Sequence, residues 1–112
     1  MIEIPLKPLS VNRAFRGRHF KTGECKQYEE DLWILLPKRK IIEGKVKIEY
    51  TFFLKNHKMS DLDNQIKVLQ DILVKKGYIE DDRKIYCMVV KKIAAKEDKI
   101  QIEITPYEED DN

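Results

Sequence analysis

Between Lys45 and Leu54 apolar and polar residues alternate: Val46, Ile48, Tyr50, Phe52 and Leu54 fall on one side, and Lys45, Lys47, Glu49 and Thr51 on the other. Successive side chains of an extended strand point to opposite faces, so this stretch specifies a sheet with one buried and one wet face. The period then changes. From Asn64 to Lys76 the apolar residues Ile66, Leu69, Ile72 and Leu73 recur at helical spacing, and Gly77 is a natural C-terminal stop. Beyond it, Lys84 to Ala95 is rich in β-formers (Ile85, Tyr86, Met88, Val89, Val90, Ile93), and Lys99 to Thr105 alternates through Ile100, Ile102 and Ile104. The short Lys96-Glu97-Asp98 connection predicts that these last two strands form a hairpin.

Upstream, residues 1–5 form a short strand, after which Pro5 and Pro8 force an extended path. Glu24 to Leu36 is a helix ended by Pro37, with Tyr28, Leu32, Leu35 and Leu36 on one side and Trp33 and Ile34 widening the apolar girth. That girth suits a core or a subunit contact, and the core is the expectation adopted. The order is β-α-β-α-β-β, an α+β arrangement in which two helices cover one face of a mostly antiparallel or mixed sheet. A length of 112 residues bounds the chain to one domain, over residues 1–107. The tail, 108–112, is too acidic and short to pack and is expected to be disordered.

The net charge of +2 conceals an uneven split: residues 1–60 carry 13 Lys/Arg against 7 Asp/Glu, residues 61–112 carry 9 against 13. A basic half beside an acidic one suits a polyanion held by one part and acted on by the other. Much of the positive charge lies in Ser10–Lys21, where Arg13, Arg16, Arg18 and Lys21 interleave with Phe15 and Phe20. Arg grips phosphate with paired donors and an exposed ring stacks on an unpaired base, so these six residues are the candidate nucleic-acid contacts. The alternative leaves both Phe in the core and the Arg residues solvated. Cys25 and Cys87 are isolated, with only His19 and His57 for company, which excludes the spacing of a zinc site. The opening Met1-Ile2-Glu3-Ile4-Pro5 has no signal-peptide apolar run, no membrane-spanning run follows, and a reducing cytoplasm is the expected compartment.

The acidic half holds the candidate chemical groups. Asp61 and Asp63 are separated by one residue in Asp61-Leu62-Asp63-Asn64-Gln65-Ile66-Lys67, and Asp81-Asp82 lies just past Gly77. Like charges this close repel unless solvent, a proton or a cation intervenes. Two roles are open: caps at a helix N-terminus beginning near Asn64, where negative charge is favoured, or ligands for one or two magnesium ions. Lys67, one turn from Asp63, either pairs with it on the helix surface or meets a substrate phosphate. Asp82 can rejoin the cluster only if Tyr78-Ile79-Glu80-Asp81 runs straight back along the helix. A helix from Asn64 to Lys76 spans roughly 18–20 Å, about what the extended return can cover.

Asp61-Leu62-Asp63-Asn64-x-x-Lys67, then Asp71-Ile72-Leu73, Gly77 and Asp81-Asp82, resembles the RusA family of Holliday junction resolvases. The likeness extends more loosely over most of the chain, including the amino-terminal segment from Pro8 through Ser10 to Asn12. One departure is local: Lys58-Met59-Ser60 precedes the first Asp, where family members often carry more basic residues. By motif position the resemblance implies that Asp61, Asp63, Asp82 and Lys67 carry metal-dependent cleavage. Asp61, Asp63 and Asp82 would be the metal ligands, Asp81 an auxiliary ligand or supporting group, and Asn64 would orient Asp61 or Asp63. The implied cofactor is magnesium, with manganese as substitute. The implied substrate is a four-way DNA junction, nicked in pairs by a homodimer. The rivals are a nucleic-acid-binding module without chemistry, its acids serving as caps, and a nuclease acting on flaps or forks.

Overall fold

A computed structural model describes residues 1–7, 15–16, 20–21, 23–55 and 62–108; the side chains at positions 15, 16, 20, 21, 24, 25 and 62–65 fall outside that description. In chain order the elements are β1 (Ile2–Ile4), β2 (Phe15–Arg16), β3 (Phe20–Lys21), helix α1 (Gly23–Leu35), β4 (Val46–Leu54), helix α2 (Leu62–Lys75), a 3₁₀ turn (Asp82–Lys84), β5 (Ile85–Ala94) and β6 (Lys99–Pro106). The alternating stretch, β4, lies inside a four-stranded mixed sheet of order β1-β6-β4-β5. Its register sets Ile48 opposite Ile104, Tyr50 opposite Ile102 and Phe52 opposite Ile100. All six are buried, and they join Tyr28, Leu32 and Leu36 from α1 and its end and Ile66, Val68, Leu69, Ile72 and Leu73 from α2 in one core. Burying an aliphatic or Phe side chain is worth about 1.5–3 kcal/mol, so this shared face holds the two helices on the sheet.

The expected hairpin between β5 and β6 does not form. β5 runs parallel to β4, and β6 lies antiparallel on β4's other side. The cause is α2: a helical crossover returns the chain to the starting end of β4, so the next strand must run the same way. The chain then crosses the far end of β4, where Ala95 N donates to Leu54 O (3.0 Å) and Lys55 N donates to the Asp98 carboxylate (2.9 Å). A second correction concerns α1. Tyr28, Leu32 and Leu36 are buried as expected, but Trp33, Ile34 and Leu35 are exposed, Ile34 to 78%. One helix has only one side toward the core, and residues 32 and 36 occupy it. The basic loop also gains structure that its polarity did not announce: β2 and β3 form a two-rung antiparallel ladder, Phe15 opposite Lys21 and Arg16 opposite Phe20.

Helix α2 ends as Gly77 requires. Gly77 has φ +83°, Tyr78 N donates to Leu73 O (2.9 Å) and Gly77 N donates to Val74 O (3.1 Å). This pair of bonds satisfies the last carbonyls while the left-handed residue reverses the chain. Tyr78 is then buried, its hydroxyl donating to Pro37 O, and Ile79 bridges to Ile42. Lys76 seals the neighbouring helix end, donating from Nζ to Leu36 O (2.6 Å) and to Trp33 O. Helix α1 has no basic residue in its own last turn, so a cation from α2 meets its partial negative charge. Among the described residues no helix is long and apolar enough to cross a membrane.

Candidate active site

Helix α2 begins at Leu62, two residues before the expected start, which puts Asp63 in the first turn, where the helix favours negative charge. At 100° per residue, positions 63, 67 and 70 share one stripe about 60° wide, spanning roughly 10 Å along the axis. Lys67 on this stripe is exposed and Gln70 is half-buried. Gln70 reaches across to β5, its amide donating to the Met88 sulfur (3.9 Å), and it approaches the buried Tyr50 hydroxyl. The helix surface beginning with Asp63 is thereby joined to the start of β5.

Asp82 shares a cleft with Gln70. Gln70, Asp82, Arg83, Tyr86 and Met88 line an open depression of about 430 Å³. The return from Gly77 is not the straight extended run expected: Tyr78 and Ile79 pack inward, and Asp82 opens the 3₁₀ turn. The turn still brings Asp82 into the depression lined by Gln70, which lies five residues before the end of α2. Its convergence with Asp61 and Asp63 falls outside the described residues, as do Asp61 itself and the side chains of Asp63 and Asn64. Among the described residues no group of three or more His, Cys, Asp or Glu side chains gathers.

The two adjacent carboxylates differ in character. Asp81 caps the 3₁₀ turn, accepting from Arg83 N (3.0 Å) and meeting the Arg83 guanidinium at 3.4 Å. The Arg83 backbone N–H, with help from Asp82 and the guanidinium, holds the Asp81 carboxyl down to about 2. Asp82 moves the other way, raised by its hydrogen bond to Asp81 and by that neighbour's charge. Asp81 is therefore engaged by the turn, while Asp82 faces its neighbour's charge.

The basic loop is described only in part. Arg13 and Arg18 fall outside the described residues, while Phe15, Arg16, Phe20 and Lys21 are placed by their backbone in the β2–β3 ladder. Gln70 and Arg83 were not singled out from the sequence. Gln70 carried a signal, seven residues after Asp63 on the same stripe; Arg83 carried none beyond following the acidic pair.

The family model described as Endodeoxyribonuclease RusA matches residues 5–105. The chain is 32% identical over 117 positions to the crossover junction endodeoxyribonuclease RusA of Aquifex aeolicus (strain VF5), covering 96% of this chain and 93% of that one.

Proposed function

The chain belongs to the RusA family of endodeoxyribonucleases, and on that premise we propose that it resolves four-way DNA junctions by paired, magnesium-dependent phosphodiester hydrolysis. The observation that supports a working site here is the return of Asp82 to the flank of α2, across a cleft from the stripe that Asp63 begins. Asp61, Asp63 and Asp82 hold the divalent ion, because carboxylate oxygens are the donors that hard cations such as magnesium and manganese take. When bound, such an ion supplies a nucleophilic water and neutralises charge on the scissile phosphate. Lys67, exposed and one turn from Asp63, offsets the charge that develops on the phosphate oxygens. Asp81 fixes the turn that presents Asp82, and Asn64 orients Asp61 or Asp63.

Arg13, Arg16, Arg18 and Lys21 track the DNA backbone, with Phe15 and Phe20 beside them. A four-way junction has two-fold symmetry and needs two nicks, so the working species is a homodimer acting in the cytoplasm. Cleavage of a four-way junction, compared with duplex, fork and flap in magnesium and in EDTA, tests the reading. Supporting groups around a metal are worth about 10–100-fold, so replacing a direct ligand in Asp63→Asn or Asp82→Asn should cost at least about 100-fold in cleavage. Junction binding should survive in both variants. Faster cutting of flaps or forks would move the substrate, and binding without magnesium-dependent cutting would leave a DNA-binding module.

A further inference from the structure

The cleft beside Asp82 has a second wall, aromatic and cationic, that the acidic motif does not include. β4 and β5 pair evenly except at one place: Val46 is opposite Ile85 and Lys47 opposite Cys87, leaving Tyr86 with no partner. An extra residue in a strand re-aims its side chain and kinks the ladder, a device common beside active sites. The Tyr86 side chain so placed is 53% exposed and lines the cleft with Asp82 and Arg83. It is not loose. The Tyr107 ring stacks against it with centroids 5.8 Å apart, and Lys45 Nζ lies 4.7 Å from its centroid. Tyr107 is itself anchored, its backbone N donating to Lys45 O (2.9 Å). Arg83, next in sequence to Asp82, has a side chain 87% exposed.

We infer that Tyr86 and Arg83 form a subsite for the nucleotide flanking the scissile phosphate, Tyr86 packing on its base and Arg83 holding its phosphate. The inference rests on the nuclease reading above and adds the part of the substrate that this wall takes. A propped, half-exposed ring with two cations in its neighbourhood offers what a nucleotide needs: apolar ring surface at little ordering cost and positive charge for the phosphate. The carboxylate of Asp82 alone would repel that phosphate; Arg83, in the same cleft lining, and Lys45, over the ring, offset it. The opening at a junction's centre is where an unpaired or unstacked base is available, so the subsite should favour branched over linear DNA.

Fluorescence anisotropy of a four-way junction and a matched duplex in EDTA separates binding from cutting. Tyr86→Leu should weaken junction binding roughly 5- to 150-fold, the loss of one base stack, with little change on duplex. Tyr86→Phe, which keeps the ring, should bind within about twofold of wild type, and Arg83→Ala should lower the salt-dependence slope by about one. Melting temperatures of all three should stay close to wild type. Unchanged junction affinity in Tyr86→Leu overturns the subsite, as does an affinity loss that appears only alongside a lowered melting temperature, because the aromatic pair would then serve only to pin β6. Failure of the wild-type protein to bind the junction at all would instead overturn the resolvase reading on which the subsite depends.

Discussion

Replacing Gly77 tests how the fold delivers Asp82. The residue has φ +83°, and a Cβ built on it meets nothing within 4 Å. Steric collision therefore contributes nothing, and the cost of Gly77→Ala is the cost of holding an L-residue in the left-handed region, roughly 1–2 kcal/mol. For 112 residues, at about 2.1 cal/mol/K of unfolding entropy each, that corresponds to a melting temperature lower by roughly 4–8 °C. Gly77→Asn should cost less, because its short amide tolerates this region, and Gly77→Val should cost more. Urea or thermal unfolding of the three variants, followed by circular dichroism, gives the order. The reasoning is refuted if Ala is neutral, or if Asn and Val cost the same, since either result means the left-handed turn is not what the substitution disturbs. A variant that remains folded should still bind manganese, because the cap's hydrogen bonds come from backbone groups that alanine retains.

Three further outcomes follow from particular contacts. Replacing Arg13, Arg16, Arg18 and Lys21 together by Ala should weaken junction binding and reduce the magnitude of its salt slope by roughly 3 to 4, as fewer counterions are released; an unchanged slope in a salt titration would move the DNA grip elsewhere. Lys99 lies 2.8 Å from Glu3, and its hydrogen bond, with one from Gln101, holds the Glu3 carboxyl below its ordinary value of 4.5. Such a lowered carboxyl stabilises the fold above its unfolded pKa and loses that contribution as pH falls through its folded pKa. In Lys99→Ala the Glu3 titration midpoint, followed by NMR, should therefore rise, and the stability difference from wild type should shrink at acid pH to what the Lys99 contact with the Phe53 ring contributes. On α1, Leu32→Ala should cost about 2–5 kcal/mol, whereas Ile34→Lys, two residues on, should stay within about 0.5 kcal/mol; similar losses at both positions in denaturant unfolding would contradict their opposite burial.

Where a pattern is local, the residues alone determined the structure. The alternation over Val46–Leu54 became the buried inner row of β4, the spacing of Ile66, Leu69, Ile72 and Leu73 became the core face of α2, and Gly77 closed that helix. In each case the information sits within a few residues, because side-chain period and backbone sterics act over one strand or one turn. The Asp61–Lys67 part of the acidic motif is recognisable for the same reason, its residues being near neighbours in the chain, whereas Asp82 belongs to a separate segment. Strand order is not recognisable in this way. Lys96-Glu97-Asp98 satisfies a hairpin as well as it satisfies a crossing over the end of β4, and only α2 arriving on the sheet decides between them. The apolar girth of α1 was ambiguous in the same way: Leu32 and Trp33 carry comparable apolar surface, and which one is covered depends on where the helix rests against the sheet. The second wall of the cleft belongs entirely to the tertiary structure. Tyr86, Tyr107 and Lys45 come from three separate segments, and they meet only because a one-residue register shift between parallel strands turns Tyr86 toward them, a relation that exists only once the strands are paired.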